Sequence, residues 1–433
     1  MSFTPRIAII GAGPAGLTLA RLLHVSNAKV SVTLFERDAS PSSRPDQGST
    51  LDLHTDTGLA AIRKCNLWDS FLKYARYDGQ ELIIADKNAT EYVHLQGTSG
   101  KKAGATGERP EIDRVRLKEI LLESVPAEWI RWGRHLREVT KNGMLRFDGL
   151  EEMEEPFDLI VGADGAWSKA RGRLTGDQPA YAGVSGFEIE IAEPSKTCPH
   201  VDKLVGRGSY FGLSDFKLLN AQRMGNDSIK VRSWYLCGES EAKETLDKHG
   251  KKGTLEKLLE MYTGWAPEII EFLKQGDLDT LRPWILYELP VGTKWEHKKG
   301  FTLIGDAASL ATPFSGEGVN KAMMDSLELA ELIEESLDPN NDLTLDQAVE
   351  KYEQLMFPRA EKLQAKTMMN KKNMFGSEGP IGLMTGMMKM MASGSPSILM
   401  KMLGSAPVVR AFYCYLWVRK QIGWAVRRFW RRT

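Results

Sequence analysis

Three glycines near the start of the chain have the spacing of a phosphate-binding loop. Gly11, Gly13 and Gly16 follow an apolar run at 7–10, and a helical pattern begins at Leu17. In such a loop the first glycine permits a tight turn, the second lets a diphosphate approach the backbone, and the third lets helix and strand pack closely. The helix N-terminus favours negative phosphate groups. The stretch therefore predicts a dinucleotide site.

An acidic residue at a suitable distance supports this prediction. Glu36 stands twenty residues after Gly16 and closes the apolar strand predicted at 30–35. A carboxylate in that position can bind the hydroxyl groups of a ribose. Glycines at this spacing also occur in ordinary turns, but the preceding strand, the following helix and Glu36 together favour the dinucleotide.

Two further apolar strands end in an acid before a helical pattern. The run 157–162 leads to Asp164, and the run 301–304 leads to Asp306 and then to the glycine-rich segment 313–320. Ligands of doubly wound sheets bind at the carboxyl ends of the strands, so the three strand ends should form one site. A second interpretation stays open, because Asp at such a junction commonly caps the next helix.

The middle of the chain, from about 183 to 287, has the alternation of antiparallel strands. On the strand predicted at 186–191, Glu188 and Glu190 share one face, opposite the apolar residues. If that face lines a cavity, either carboxylate could accept a phenol proton; the favoured interpretation is that both face solvent. Arg232 is a third catalytic candidate, and Tyr210 and Phe211 are candidate substrate contacts.

Composition limits the classes of function. The 433 residues are enough for two or three domains, and 57 basic residues balance 57 acidic ones, which disfavours a nucleic-acid partner. The four cysteines form no Cys-x-x-Cys pair, which disfavours a metal site or disulfides. The first strand is predicted within about six residues of Met1, which leaves no room for a signal peptide and suggests a cytoplasmic location.

Together these motifs resemble those of the class A FAD-dependent monooxygenases, the aromatic hydroxylases with the para-hydroxybenzoate hydroxylase fold. The residues that carry the resemblance are Gly11-Ala-Gly-Pro-Ala-Gly16 with Glu36-Arg37, Gly162-Ala-Asp-Gly-Ala-Trp-Ser168 with Arg171, and Gly305-Asp-Ala-Ala308 continuing to Pro313-Phe-Ser-Gly-Glu-Gly-Val-Asn320. Within that family, segments 48–54 and 108–114 are most similar to the tetracycline-inactivating branch.

The resemblance implies an α/β fold with three parts. A Rossmann-type (GR2-like) FAD-binding domain should comprise 1–80, 108–180 and 300–337. An antiparallel-sheet substrate domain should comprise 81–107 and 181–299. Residues 338–433 should form C-terminal helices that brace the two domains.

The implied activity is monooxygenation in secondary metabolism or antibiotic modification. FAD would be the held cofactor, NADPH or NADH the reductant and O2 the co-substrate, with hydroxylation of a bulky polycyclic molecule through a flavin C4a-hydroperoxide. The substrate would be a ring-containing apolar compound, polyketide-like or terpenoid-like. The alternatives are an epoxidase, a halogenase or a dehydrogenase of the same fold, or a non-catalytic lipid carrier.

The resemblance also gives roles to individual residues. Glu36 should bind the adenosine ribose, Arg37 should border the adenosine half, and Arg114 should reach the ribityl chain or the diphosphate. Asp306 should hydrogen-bond the ribityl chain, and Asp52 should lie at the isoalloxazine edge. The full predicted cofactor set is Gly11, Gly13, Ala15, Gly16, Glu36, Arg37, Asp52, Arg114, Asp164, Asp306, Gly316, Gly318, Val319 and Asn320.

The segment from Gly316 to Asn320 should place backbone N–H groups and a helix N-terminus near the flavin pyrimidine ring. That positive end would stabilise the anionic reduced flavin. Pro313 and Phe314 are candidate substrate contacts, and Arg44 is the candidate contact for NADPH.

The end of the chain has an unusual composition. From Gly379 to Thr433 there are nine Lys and Arg residues, many methionines and no carboxylate. The longest apolar stretch, 411–418, is far too short to span a bilayer. The resemblance favours helices that brace the domains, and the competing interpretation is a basic tail that lies on an anionic membrane surface.

Overall fold

The computed structural model describes five stretches of the chain, namely 4–43, 48–97, 108–149, 156–394 and 405–430. The chain divides into two compact units. The first comprises Met1–Arg76, Lys102–Ala182 and Tyr287–Thr367, and the second comprises Tyr77–Lys101, Gly183–Leu286 and Met368–Thr433. The domain boundaries predicted from the sequence stay predictions; in this division the C-terminal helices are shared between the two units.

The strands, in chain order, are β1 Arg6–Ile10, β2 Ser31–Phe35, β3 Thr50–Asp52, β4 Leu82–Ala85, β5 Glu91–Leu95, β6 Glu111–Asp113, β7 Ile130–Arg131, β8 Leu136–Val139, β9 Leu145–Phe147, β10 Leu159–Gly162, β11 Ala180–Ile191, β12 Ser209–Ser214, β13 Lys217–Arg223, β14 Ile229–Leu236, β15 Asp277–Glu288 and β16 Phe301–Leu303.

The helices are α1 Pro14–Val25, α2 Gly58–Lys64, α3 Trp68–Leu72, α4 Arg114–Glu123, α5 Pro194–Thr197, α6 Pro199–Val205, α7 Glu241–Met261, α8 Pro267–Lys274, α9 Gly318–Ser336, α10 Leu345–Met374, α11 Pro380–Gly394 and α12 Ala406–Trp430. Short 3-10 turns include Gly305–Ala307 and Pro313–Ser315. None of the helices in the described stretches is long and apolar enough to cross a membrane.

The first unit contains a five-stranded parallel sheet in the order β16-β10-β1-β2-β7. Its central strand is a continuous apolar run because both faces are covered: residues 7–10 are at most 2% exposed. Helices α1 and α9 pack against each other in this unit. Parallel pairing brings the carboxyl ends of β1, β10 and β16 to one edge of the sheet, as the sequence predicts.

The second unit contains a seven-stranded sheet in the order β15-β11-β14-β13-β12-β4-β5. The pairs β11–β14, β14–β13, β13–β12 and β4–β5 are antiparallel, whereas β4 and β12 run parallel. The sequence predicted an antiparallel sheet and did not predict this parallel pair. Alternation along a half-buried strand is the same in parallel and antiparallel pairing, so it cannot distinguish them. Apolar residues of one face, among them Phe187 and Ile189, pack with residues of α6, α7 and α8 in one core. The predicted α/β class with a Rossmann-type domain, a sheet domain and C-terminal helices is confirmed.

Candidate functional site

The glycine loop after β1 is closed on one side and open on the other. Gly11 has φ 109°, and a Cβ there would lie 2.5 Å from the carbonyl oxygen of Ala163. A Cβ on Gly16 would lie 2.0 Å from the carbonyl oxygen of Gly11. By contrast, a Cβ on Gly13 would have no described atom within 4 Å. Two glycines are therefore required by the fold, and the third leaves space at the loop for another molecule.

Glu36 connects the ends of the first two strands. Its side chain is buried, and its Oε2 accepts a hydrogen bond from the backbone N–H of Ala12 at 2.6 Å. Its Oε1 accepts one from the N–H of Asp38 at 2.9 Å. Each carboxylate oxygen has capacity for a second donor. The carboxylate thus holds the glycine loop, and a ribose could add to these bonds. Arg37 is exposed.

Asp164 folds the turn that follows β10. Its Oδ2 accepts hydrogen bonds from the N–H groups of Lys169 at 2.8 Å and Ala170 at 3.1 Å, and its Oδ1 accepts one from the Ser168 hydroxyl. Burial raises the pKa of Asp164, and these hydrogen bonds offset part of the increase. The geometry supports the capping interpretation for this residue.

Arg171 links the turn after β10 to the turn after β16. It is fully buried, and its Nε donates to the carbonyl of Ala307 at 2.9 Å while Nη2 donates to that of Ala166 at 2.7 Å. Nη1 has no hydrogen-bond partner within the described residues. Burial lowers the pKa of Arg171, but a guanidinium remains charged at neutral pH. Arg171 was visible in the sequence as part of a motif, yet it was not among the candidate site residues.

Asp306 is the exposed acid at the end of β16. The strand and the flanking Gly305 and Ala307 are buried, whereas the Asp306 side chain reaches solvent. Protein still surrounds it closely, which raises the pKa of Asp306, and the positive charges of Lys321 and Arg114 limit that increase. An exposed carboxylate at the carboxyl edge of a parallel sheet is placed to accept hydrogen bonds from a ligand.

Three charged residues hold the turn that carries Asp306. Asp325 is fully buried, and its Oδ2 accepts from the N–H of Gly305 at 2.9 Å and lies 3.1 Å from Nζ of Lys321. Lys321 Nζ donates to the carbonyl of Gly305 at 2.7 Å. Arg359 Nη2 pairs with Asp325 Oδ1 at 2.9 Å. Both polar groups of Gly305 are therefore bound by ionised side chains.

Sequence reasoning missed these three residues, which we call the Asp325 network. The pair Lys321 and Asp325 has i,i+4 spacing inside the predicted helix, which was the available signal. The contacts to Gly305 and Arg359 could not be read from spacing.

The N-terminus of α9 lies open beside a glycine turn. Gly316 is left-handed with φ 70°, and Gly316 and Gly318 are both exposed. The first turn of a helix presents unpaired N–H groups and a partial positive charge. Of the two substrate candidates in this segment, Pro313 is exposed and Phe314 is buried, so only Pro313 presents surface. Ala15 is buried beneath the loops, and Val319 is half-buried.

Asn320 attaches α9 to β3. Its Nδ2 donates to the carbonyl of Asp52 at 2.7 Å, and its Oδ1 accepts from the N–H of His54 at 2.8 Å. The carboxylate of Asp52 in turn contacts Nε2 of His54 at 2.9 Å. The side chain of Asn320 thus joins α9 to β3. The sequence predicted only that the backbone of this residue contacts the flavin.

Arg114 begins α4 beside another left-handed glycine. Its N–H donates to the carbonyl of Ser49 at 3.1 Å. A Cβ on Gly48, where φ is 87°, would lie 2.6 Å from Cδ of Arg114, so the side chain packs on bare backbone. Its positive charge limits the increase that burial causes in the pKa of Asp306. Arg44, the candidate for NADPH, lies outside the described residues.

In the second unit, Glu188 is buried and paired, which corrects the expectation that it faces solvent. It is 2% exposed, and its Oε2 accepts from Nε of Arg232 at 2.7 Å while its Oε1 accepts from Arg282, including Nε at 3.1 Å. Burial acts to raise the pKa of Glu188, but the two guanidinium groups lower it overall. A carboxylate held ionised in this way is a weak base. We call this cluster the Glu188 network.

The other candidate residues on this sheet lie on different faces of it. Tyr210 is fully buried and its ring packs edge-on against Phe272 at 5.3 Å between centroids. Its neighbour Phe211 is half-buried and points to the opposite face, so Phe211 is the better candidate for a substrate contact. Glu190 is half-buried, and its backbone N–H donates to Oγ1 of Thr280 at 2.8 Å.

Residues 4–367 match the family described as FAD binding domain. The chain belongs to this family of FAD-binding monooxygenases. Monooxygenase asqM of Emericella nidulans is 35% identical over 382 residues, which cover 76% of this chain and 84% of that protein. Monooxygenase penA of Penicillium thymicola is 33% identical over 408 residues, which cover 82% of this chain and 92% of that protein.

Solved structures share the fold at lower identity. Klebsiella pneumoniae HpxO, in complex with FAD and uric acid, has a TM-score of 0.69 and 16% identity, covering 94% of this chain and 96% of that one. Tetracycline destructase Tet(51) has a TM-score of 0.59 and 16% identity, covering 87% of this chain and 92% of that one. These structures agree in fold with the resemblance to FAD monooxygenases, which the family match and the two fungal relatives confirm.

The residues of the first unit fit an FAD molecule. The open side of Gly13 suits a diphosphate beside a helix N-terminus, and Asp306 supplies an acceptor for hydroxyl groups. The first turn of α9, which begins at the exposed Gly318, can offer backbone N–H groups to the polar edge of a ring system, whereas the N–H of Gly316 donates to the carbonyl of Pro313. Each of these groups lies at a carboxyl strand end or a helix start, where doubly wound folds bind such ligands.

Proposed function

We propose that this protein uses NAD(P)H and O2 to insert one oxygen atom into a bulky polycyclic small molecule, polyketide-like or terpenoid-like, in secondary metabolism. The observation that carries the proposal is Asp306: an exposed carboxylate on a buried strand end, in a chain that belongs to the FAD-binding monooxygenases. Its turn is held in place by the buried Asp325 network, which is what a preformed cofactor site requires.

Particular residues would hold the cofactor. Gly13 and the start of α1 would bind the diphosphate, and Glu36 would bind the adenosine ribose while it keeps its bonds to the loop. Asp306 would accept a ribityl hydroxyl, and Arg114 would contribute positive charge near it. The start of α9 would face the flavin ring and favour negative charge there.

When bound, FAD would supply the redox chemistry, accepting a hydride from the nicotinamide and activating O2 for transfer to the substrate. The chain would contribute binding, orientation and exclusion of water. No side chain is assigned as acid or base. Glu188 in particular is unsuited to accept a phenol proton, because Arg232 and Arg282 stabilise its ionised form.

The test begins with the purified protein and its absorbance near about 450 nm, the signature of bound flavin. Anaerobic reduction is then followed with NADPH and with NADH, alone and with a panel of polycyclic compounds. We expect at least one compound to accelerate reduction and to yield a product heavier by one oxygen. Flavin reduction without any oxygenated product across the panel would contradict the proposed activity.

The alternatives give different results in the same assay. Hydroxylation and epoxidation add the same mass, and NMR of the product distinguishes them. A halogenase would need a halide and would add the mass of chlorine or bromine, and a dehydrogenase would remove hydrogen. A lipid carrier would bind the compound without flavin and without oxidation of NADPH.

A further inference from the structure

Helix α12 has one apolar side that is already packed. Val409 and Leu416 are buried, and Leu416 lies in a small core with Tyr92 and Ile381. These residues attach the helix to the rest of the second unit, which includes α11. The buried side attaches the helix to the unit, but it contains only part of the apolar surface of the helix.

A second apolar stripe runs along α12 on a side that is not covered. Val408, Tyr415 and Val418 are 36%, 60% and 48% exposed, and Ala411 is exposed between them. We call these four residues the outer stripe. Spacings of three and four residues place them on one helix side. In the sequence the same spacing continues at Ile422, Val426 and Phe429.

The segment that carries the outer stripe is basic. Arg410 and Arg419 are exposed on the same helix, and the chain has nine Lys and Arg but no carboxylate from residue 379 to its end. Because the complete sequence has equal numbers of basic and acidic residues, the remainder of the chain is net acidic. In the sequence, positive charge is therefore concentrated in the segment that carries the outer stripe. The exposed Trp417 adds a side chain that is typical of membrane interfaces.

We propose that α12 binds the surface of an anionic membrane. The outer stripe would enter the boundary between headgroups and acyl chains, and the arginines would contact lipid phosphates. The helix would lie in the surface, because no helix in the described part of the chain is apolar enough to span a bilayer. A second copy of the chain is a poorer occupant, since two surfaces without carboxylates would repel each other. This inference does not rest on the proposed reaction.

The test uses the complete protein and co-sedimentation with two kinds of vesicle, phosphatidylcholine alone and phosphatidylcholine mixed with phosphatidylglycerol. We expect binding to the mixed vesicles, little binding to the neutral ones, and a decrease in affinity as salt is raised. The double variant Tyr415→Glu, Val418→Glu should lower the partition coefficient by about tenfold or more. Arg410→Gln with Arg419→Gln should lower it by about tenfold or more and reduce the salt dependence.

A control is Leu236→Glu, which places one glutamate on an apolar residue of β14 that is 51% exposed in the same unit. It should bind vesicles like the unaltered protein, and circular dichroism and flavin content should show that every variant is folded. Equal binding to neutral and anionic vesicles, no binding to either, or loss of binding in the Leu236 variant would each overturn the proposal. So would a dimer in solution that the outer-stripe variant converts to monomer.

Discussion

The molecule has two charge networks, one in each unit. They use similar residues, but the first binds backbone groups and the second binds only side chains. In the first unit, Asp325 and Lys321 direct their bonds to the N–H and the carbonyl of Gly305. In the second unit, Glu188 directs both carboxylate oxygens to Arg232 and Arg282.

The difference shows what buried charge can do in each place. Bonds to backbone fix the shape of a turn and leave the adjacent Asp306 exposed for another molecule. Bonds between side chains satisfy the charges and leave no free base. The first network positions a site, whereas the second stabilises a sheet and keeps its central carboxylate ionised.

The largest expected effect is that of Asp325→Ala. The substitution leaves the buried Lys321 without its ion-pair partner, removes one of the two carboxylate partners of the half-buried Arg359, and frees the N–H of Gly305. We expect the free energy of unfolding, measured by urea denaturation, to fall by about 3–5 kcal/mol. The control Glu328→Ala removes only the other ion-pair partner of Arg359, and it should lower the free energy of unfolding by about 1 kcal/mol. If Asp325→Ala lowered the free energy of unfolding by less than Glu328→Ala does, the Asp325 network would not hold the turn.

The next effect is that of Glu188→Gln in the second unit. Because the Arg282 side chain is 42% exposed and can turn to water, the loss in unfolding free energy should be smaller, about 2 kcal/mol. The dependence of kcat on pH should keep its shape, since an ionised, doubly paired carboxylate is not a catalytic base. A variant of normal stability whose profile had lost the acidic limb, the rise of kcat as a base loses its proton, would show instead that Glu188 accepts a proton.

A smaller, pH-dependent effect should come from His297 in the first unit. Partial burial acts to lower the pKa of His297, but hydrogen bonds to Glu353 and Asp346 raise it above its ordinary value. The protonated form therefore stabilises the fold at pH below about 6.5, and this contribution is lost as pH rises through the raised pKa.

We expect that loss to be about 1 kcal/mol or less in urea denaturation, and to be absent in His297→Gln. Side-chain charges here pair with one another, as in the Glu188 network, so the variant should leave FAD affinity unchanged. An increase in stability of the unaltered protein over the same pH range would contradict this sign.

The sequence was most informative for the first unit. Strands buried on both faces are continuous apolar runs, so β1, β10 and β16 and the residues at their ends could be recognised without the structure. The glycine spacing was equally direct, although only Gly16 is required by a contact within its own segment, with the carbonyl of Gly11, whereas Gly11 is required by the distant backbone of Ala163.

It was less informative where distant segments meet. Alternation showed that Glu188 and Glu190 share a face, but not that Arg232 and Arg282 would cover one of them, since pairing across strands decides burial. In the same way, the burial of Tyr210 depends on Phe272 of α8, and the role of Lys321 depends on Gly305 and Asp325. Tertiary contacts of this kind have no local pattern.

The substitution Gly13→Val probes whether FAD lies against the open side of the glycine loop. No described atom lies within 4 Å of the added Cβ, so the apoprotein should unfold at the same urea concentration as the unaltered protein. FAD affinity, measured by fluorescence titration, should fall by about a hundredfold or more because the side chain would occupy the place of the diphosphate. Gly176→Val, also in open space, is the control and should bind FAD normally. Unchanged FAD affinity in a folded Gly13→Val variant would contradict the account.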